Sequence, residues 1–213
     1  FASKADRASE TLGPIPVASG EDLRELTLVL EPGSSLSGTV RSLQDGSAVP
    51  GAVVGAGAAT ATCDDRGRYR LAGLPAGNVV VVASAEGYLP RRAEIELPRG
   101  QERTGADIHL ERGARVFGTV RASGSPVAGI EIYAARYGFG ATLSEVTPVA
   151  LGDGDGGYSG WVPPGRLELV ARGGGWAEAR TSELDLAPGE ERQIDMALGP
   201  GGAVFGSVRG GDG

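Results

Sequence analysis

One histidine, one cysteine and one lysine stand in a chain of 213 residues, so nucleophilic and metal chemistry have few carriers. Any Ser-His-Asp or Cys-His arrangement must draw on His109. That residue alternates with Ile108 and Leu110, which puts it on the solvent side of a strand. Cys63 has no His or Lys close in sequence to lower its thiol pKa and reads as a small strand residue. Being the only cysteine, it forms no intrachain disulfide. Asp153-Gly154-Asp155-Gly156 begins like a calcium loop, yet Gly157-Tyr158 opens a strand where more oxygen ligands and a bidentate acid should follow. Asp64-Asp65-Arg66-Gly67 is the corresponding stretch, with an arginine where a cation would sit. Both read as turns, and Arg91-Arg92 reads as a solvated strand face. No catalytic, cofactor-binding or metal-binding residue emerges, and no enzyme is expected.

The elements that would hold these residues are strands. The 37 glycines and 13 prolines follow no collagen period, and β-branched runs such as Val79 to Val82 separate them, as in a chain of short strands and tight turns. Asp64 to Gly77 reads turn, strand (Tyr69 and Leu71 alternating with Arg70 and Ala72), turn, and then a buried strand. The net charge of −7 argues against nucleic acid and anionic membrane surfaces, and no apolar run approaches a membrane span.

The pattern repeats. Leu36-Ser37-Gly38-Thr39-Val40 returns as Val116-Phe117-Gly118-Thr119-Val120 and as Val204-Phe205-Gly206-Ser207-Val208, with offsets of 118 − 38 = 80 and 206 − 118 = 88. The turns Glu31-Pro32-Gly33, Glu111-Arg112-Gly113 and Gly199-Pro200-Gly201 step by the same two offsets. Residues 1–33 align without gaps on 81–113, with Ile15 over Ile95 and Val17 over Leu97. The expected organisation is therefore the end of one copy (1–33), two whole copies (34–113 and 114–202) and the first strand of another (203–213). In the first whole copy, strands are expected near 35–42, 51–57, 59–63, 67–72, 77–85, 91–97 and 104–111. In the second they fall near 115–122, 128–136, 146–151, 156–162, 165–172, 177–186 and 191–198. Seven short strands per copy without helical period make an all-β sandwich.

Gly38-x-Val40, Val49-Pro50-Gly51-Ala52-Val53-Val54, Asp64-x-x-Gly67-x-Tyr69-x-Leu71-x-x-Leu74-Pro75-x-Gly77 and Ala85-x-Gly87-Tyr88 together resemble the carboxypeptidase regulatory-like domain. The resemblance is close over 34–113 and looser over 114–201, where Val127-Ala128-Gly129-Ile130 and Gly174-Gly175-Trp176 replace two of the elements. It implies tandem Ig-like, transthyretin-like seven-stranded sandwiches and display outside a bacterial cell or at its surface. It implies a fold rather than an activity. A zinc peptidase centre would need more histidines and an acid where Arg112 stands. The Lys–Asn or Lys–Asp isopeptide staple of related surface sandwiches has no lysine in either whole copy, since Lys4 lies in the first segment.

Aromatic residues gather in the second copy. Gly118 to Tyr158 is nine residues longer than Gly38 to Tyr69, an extended loop is expected near 134–150, and Tyr137 and Phe139 fall in it. Tyr137, Phe139, Trp161 and Trp176 are the ligand or partner contacts the sequence offers, for a polysaccharide or another surface protein. The competing reading folds Tyr137 and Phe139 back over the sandwich or onto a junction between copies. Phe117 and Phe205, beside Gly118 and Gly206, are expected at module junctions. Glu111-Arg112-Gly113 leaves almost no free residues between copies, so neighbouring repeats of the chain should be partners in a semi-rigid rod. The leading expectation is a non-catalytic extracellular scaffold or adhesive stalk. A carbohydrate- or protein-binding module and an accessory domain of a secreted peptidase are the alternatives.

Overall fold

The computed structural model describes residues 2–4, 6–9, 14–20, 22, 24, 26–137 and 143–202. It is all-β, and the chain divides into two compact units, Phe1–Arg112 and Gly113–Gly213.

The first unit begins with a small antiparallel sheet of β1 (Ser3–Lys4), β2 (Arg7–Ala8) and β3 (Glu31–Pro32). Its sandwich is built on β4 (Ser34–Ser42), which buries Leu36 and Val40 completely and leaves Ser37 and Thr39 partly exposed, as a strand with one face in a core does. β4 pairs antiparallel with β7 (Arg68–Leu74) on one side. On its other side it pairs in parallel with β10 (Glu102–Arg103) and β11 (Ile108–Leu110). The facing sheet runs β6 (Ala59–Thr62), β5 (Val53–Ala56), β8 (Gly77–Ser84), β9 (Arg91–Leu97), all antiparallel. Between the sheets lie Leu36, Val40, Val54, Leu71, Val81 and Leu110, each at most 1% exposed.

The second unit repeats the plan. Its β12 (Ala114–Ala122) pairs antiparallel with β13 (Ser125–Pro126) and with β16 (Gly157–Val162). β12 also pairs in parallel with β20 (Glu191–Gln193) and β21 (Met196–Leu198). The facing sheet holds β14 (Glu131–Tyr137), β15 (Leu143–Leu151), β17 (Gly165–Arg172), β18 (Ala179–Arg180) and β19 (Leu184–Leu186). Val116, Val120, Ile132, Val162, Leu167 and Leu169 fill this core.

Four expectations change. The single strand read over 177–186 is two short strands, 179–180 and 184–186, each paired with β17. The single strand read over 191–198 is broken in two, and that read over 104–111 is confined to 108–110 with the short strand 102–103 ahead of it, because the chain must step around a glycine on the central strand. The stretch read as an extended loop near 134–150 is mostly a hairpin. β14 and β15 pair from Glu131↔Leu151 to Tyr137↔Leu143, and two register shifts in that ladder each take up one extra residue of β15. Residues 14–30, aligned in sequence with paired strands, form no strand among the described residues, and Ile15 and Val17 are 43% and 53% exposed. A strand needs a ladder partner, and among the described residues none of 14–30 pairs with another strand.

Candidate functional site

The groups with chemical potential are engaged in local structure. His109 is exposed on β11, in register with Arg41. Cys63 is 5% exposed, and burial pushes its thiol pKa up, away from the nucleophilic thiolate. Asp64 Oδ1 accepts the Arg66 and Arg68 backbone N–H groups, each at 2.9 Å, while Oδ2 takes Arg68 Nε at 2.8 Å. Asp153 Oδ1 accepts the Asp155 N–H at 2.9 Å and the Gly157 N–H at 2.7 Å. Each carboxylate thus closes its own turn, and the backbone N–H of Arg68 holds the Asp64 carboxyl below the usual carboxylate range. Gly67 and Gly156 follow with φ +73°. A Cβ at these positions would stand 2.5 Å from the Val40 carbonyl oxygen and 2.7 Å from that of Val120, so only glycine fits. Among the described residues, no group of three or more His, Cys, Asp or Glu is arranged to hold a metal.

A polar cluster recurs in each unit where the last strand crosses the central one. In the first unit the chain from 104 to 107 passes over Gly38, where an added Cβ would meet the Ala106 carbonyl oxygen at 2.2 Å. That carbonyl accepts the Tyr69 phenol at 2.6 Å, and Asp107 Oδ1 accepts both the Thr39 N–H and its hydroxyl at 2.8 Å. The carboxylate replaces the ladder bond lost in the step between β10 and β11. In the second unit Gly118 faces the Ile194 carbonyl oxygen at a would-be 2.0 Å. Tyr158 donates to that oxygen at 2.6 Å, and Asp195 Oδ1 accepts the Thr119 N–H at 2.9 Å and its hydroxyl at 3.0 Å. The threonine donors lower both aspartates. Burial pushes Tyr69 up to about 12 and raises Tyr158 as well. This arrangement fastens a sandwich edge and leaves no free nucleophile or base.

The aromatic residues singled out in the sequence are not brought together. Trp161 is half-buried on β16, opposite Arg115. Trp176, also half-buried, bridges to Pro200 and covers the core of its unit, as Tyr88, bridged to Arg112, does in the first. Tyr137 pairs through its backbone with Leu143, and its side chain lies outside the described residues, as do Phe139 and Phe205. Phe117 is half-buried on the outer face of β12, with the Arg115 guanidinium 5.4 Å from its ring centre. A second such pair, absent from the sequence reading, is Arg172 4.2 Å over the Tyr133 ring. Exposed Glu131 and half-buried Tyr133 on either side of buried Ile132 mark an outward face, but the arginine partner depends on β14–β17 register.

Comparison with known proteins bears on the fold. The first structural unit contains the stretch, residues 35–111, that matches the family described as carboxypeptidase regulatory-like domain. The chain is similar to the Bacillus anthracis TIE protein at 16% identity and TM-score 0.35, covering 82% of this chain and 36% of that one. It is similar to a streptococcal ancillary pilin at 13% identity and TM-score 0.34, covering 77% of this chain and 62% of that one. It is likewise similar to the shaft pilin SpaA of Lactobacillus rhamnosus GG at 11% identity and TM-score 0.32, covering 81% and 100%. The chain thus spans less than two thirds of the first two of these proteins. No curated protein matches it. Gly38, Asp64, Gly67, Tyr69 and Gly77, at the turns and crossings described above, all lie within the stretch, residues 35–111, that matches the carboxypeptidase regulatory-like domain family.

Proposed function

We propose that this chain is a non-catalytic structural segment of a surface protein, in which sandwich units set distance rather than carry out a reaction. The observation that carries this reading is the treatment of the connecting residues. Only Glu111, Arg112 and Gly113 separate β11 from β12. Glu111 O accepts the Leu89 N–H at 2.8 Å and the Arg112 N–H donates to Gln44 at 3.1 Å, both within the first unit. Gly113 O accepts the Gly189 N–H at 2.7 Å within the second. Every connecting residue is hydrogen-bonded into one unit or the other, and a connection this short and tied supports the reading of a spacer rather than a flexible tether. The two crossings, Gly38–Tyr69–Asp107 and Gly118–Tyr158–Asp195, commit the same polar groups in both units to closing a sandwich. A bacterial surface location and a spacer role in a tandem array fit this reading.

Small-angle scattering tests it. The wild-type chain is expected to give a narrow distance distribution, broadened by a Gly-Gly-Ser-Gly insertion between Arg112 and Gly113. A wild-type distribution as broad as that of the insertion variant would remove the spacer role.

A further inference from the structure

The two units share a plan but not a surface. Strand register makes Arg115 and Phe117 the counterparts of Ser35 and Ser37, since Phe117 lies beside Gly118 opposite Tyr158 as Ser37 lies beside Gly38 opposite Tyr69. Register across β14 and β17 makes Tyr133 and Arg172 the counterparts of Gly55 and Ser84. At four outward positions the first unit carries only small residues. The second carries a ring with a guanidinium over it, twice.

Both pairs are held in place. Arg115 reaches Ser159 Oγ at 3.2 Å and Glu191 at 3.3 Å while standing over Phe117. Arg172 lies 3.6 Å from Glu131, which also accepts the Tyr133 phenol at 2.8 Å. Each arginine therefore has a carboxylate beside it, and each pair is locally neutral. Phe117 lines one open depression and Tyr133 another, and Leu151, 67% exposed, stands in the wall of both. No requirement of the sandwich accounts for these rings, because the first unit folds on the same plan without them.

We infer that the second unit carries a binding surface for a neutral polysaccharide that wraps the sandwich edge at Leu151, with two like subsites, Phe117–Arg115 on the outer side of one sheet and Tyr133–Arg172 on the outer side of the other. The chemistry selects this ligand. A sugar ring offers an apolar C–H face to an aromatic or guanidinium plane and a rim of hydroxyls to the adjacent carboxylates, hydroxyls and N–H groups. Local neutrality gives no advantage to a charged ligand. Two similar subsites sharing one wall suit a ligand that is itself a repeat. Fixing the guanidiniums beforehand lowers the ordering cost of binding. This face is independent of the spacer reading.

Trp161, opposite Arg115 in register, reports on the first subsite. Intrinsic fluorescence of the whole chain would be titrated with cellohexaose, xylohexaose and maltohexaose, and with the corresponding monosaccharides. The expected result is saturable binding of at least one hexasaccharide, with its monosaccharide at least about tenfold weaker. Phe117→Ser and Tyr133→Ser should each weaken that binding about tenfold, with melting temperatures confirming that both variants fold. The proposal is overturned if no hexasaccharide saturates at millimolar concentration or if both folded variants bind as the wild type does. Equal binding of monosaccharide and hexasaccharide also overturns it.

Discussion

The phenol of Tyr69 reaches across the sandwich edge to the carbonyl of Ala106, 2.6 Å away, at the one place where the last strand leaves its ladder. Tyr158 and Ile194 repeat the bond at the same length. Removing the hydroxyl while keeping the ring leaves that carbonyl without its partner, at a typical cost of about 1–2 kcal/mol. Tyr69→Phe is expected to lower the stability of the first unit by this amount in urea unfolding. The bond also has a high-pH signature. Burial raises the folded tyrosine to about 12, above an unfolded value near 10, so its contribution is intact below about pH 10 and lost as pH climbs toward the folded value. Tyr69→Phe should flatten that alkaline loss, and an unchanged curve would count against the assignment.

Glycine at the crossing is a steric requirement. In Gly38→Ala the new methyl would meet the Ala106 carbonyl oxygen at 2.2 Å, and in Gly118→Ala the Ile194 oxygen at 2.0 Å. Each is backbone that cannot rotate away, so a loss of about 1–3 kcal/mol is expected. Calorimetry of the two single variants should show each lowering the transition of its own unit.

Acid should loosen both crossings together. Asp107 and Asp195 are held below the ordinary carboxylate value of about 4 by their threonine donors, so the folded state binds fewer protons than the unfolded one there. Their contribution is present above about pH 4 and is lost as pH falls through the folded values. Asp64 and Glu190 are lowered too and add to the same fall. The discriminating measurement is therefore the difference between wild type and the Asp107→Asn/Asp195→Asn variant. The variant's melting temperature should fall less between about pH 5 and pH 3, and parallel curves would exclude the carboxylates as its source.

Calcium should not stabilise the chain. Asp153 Oδ1 and Asp64 Oδ1 each already accept two backbone N–H groups of their own turn. Millimolar calcium is expected to leave the melting temperature within error, whereas Asp153→Ala should lower it with or without the ion. A rise of several degrees on adding calcium would show that these turns hold a cation.

The turns were legible because their chemistry is local. Asp64 and Gly67, or Asp153 and Gly156, lie within a few residues of the atoms they bond, and a positive φ needs no distant partner. The strands of the central ladders were legible for a similar reason, since alternation along β7 or β11 reports a face without naming what covers it. Less legible was the purpose of Gly38 and Gly118. Their recurrence marked the repeat, but the oxygen that excludes a Cβ comes from Ala106 or Ile194, more than sixty residues along the chain.

The sequence by itself determined the class of fold and the turn that precedes each tyrosine, because these depend on residue type and short-range order. Only the tertiary structure decided that the last strand of each unit breaks at a glycine, that residues 134–137 and 143–150 pair as a hairpin, and that Arg172 lies over Tyr133. The physical reason is register. Which side chains meet across a sheet depends on how strands distant in sequence slide against each other, and a shift of one residue would exchange every partner named here.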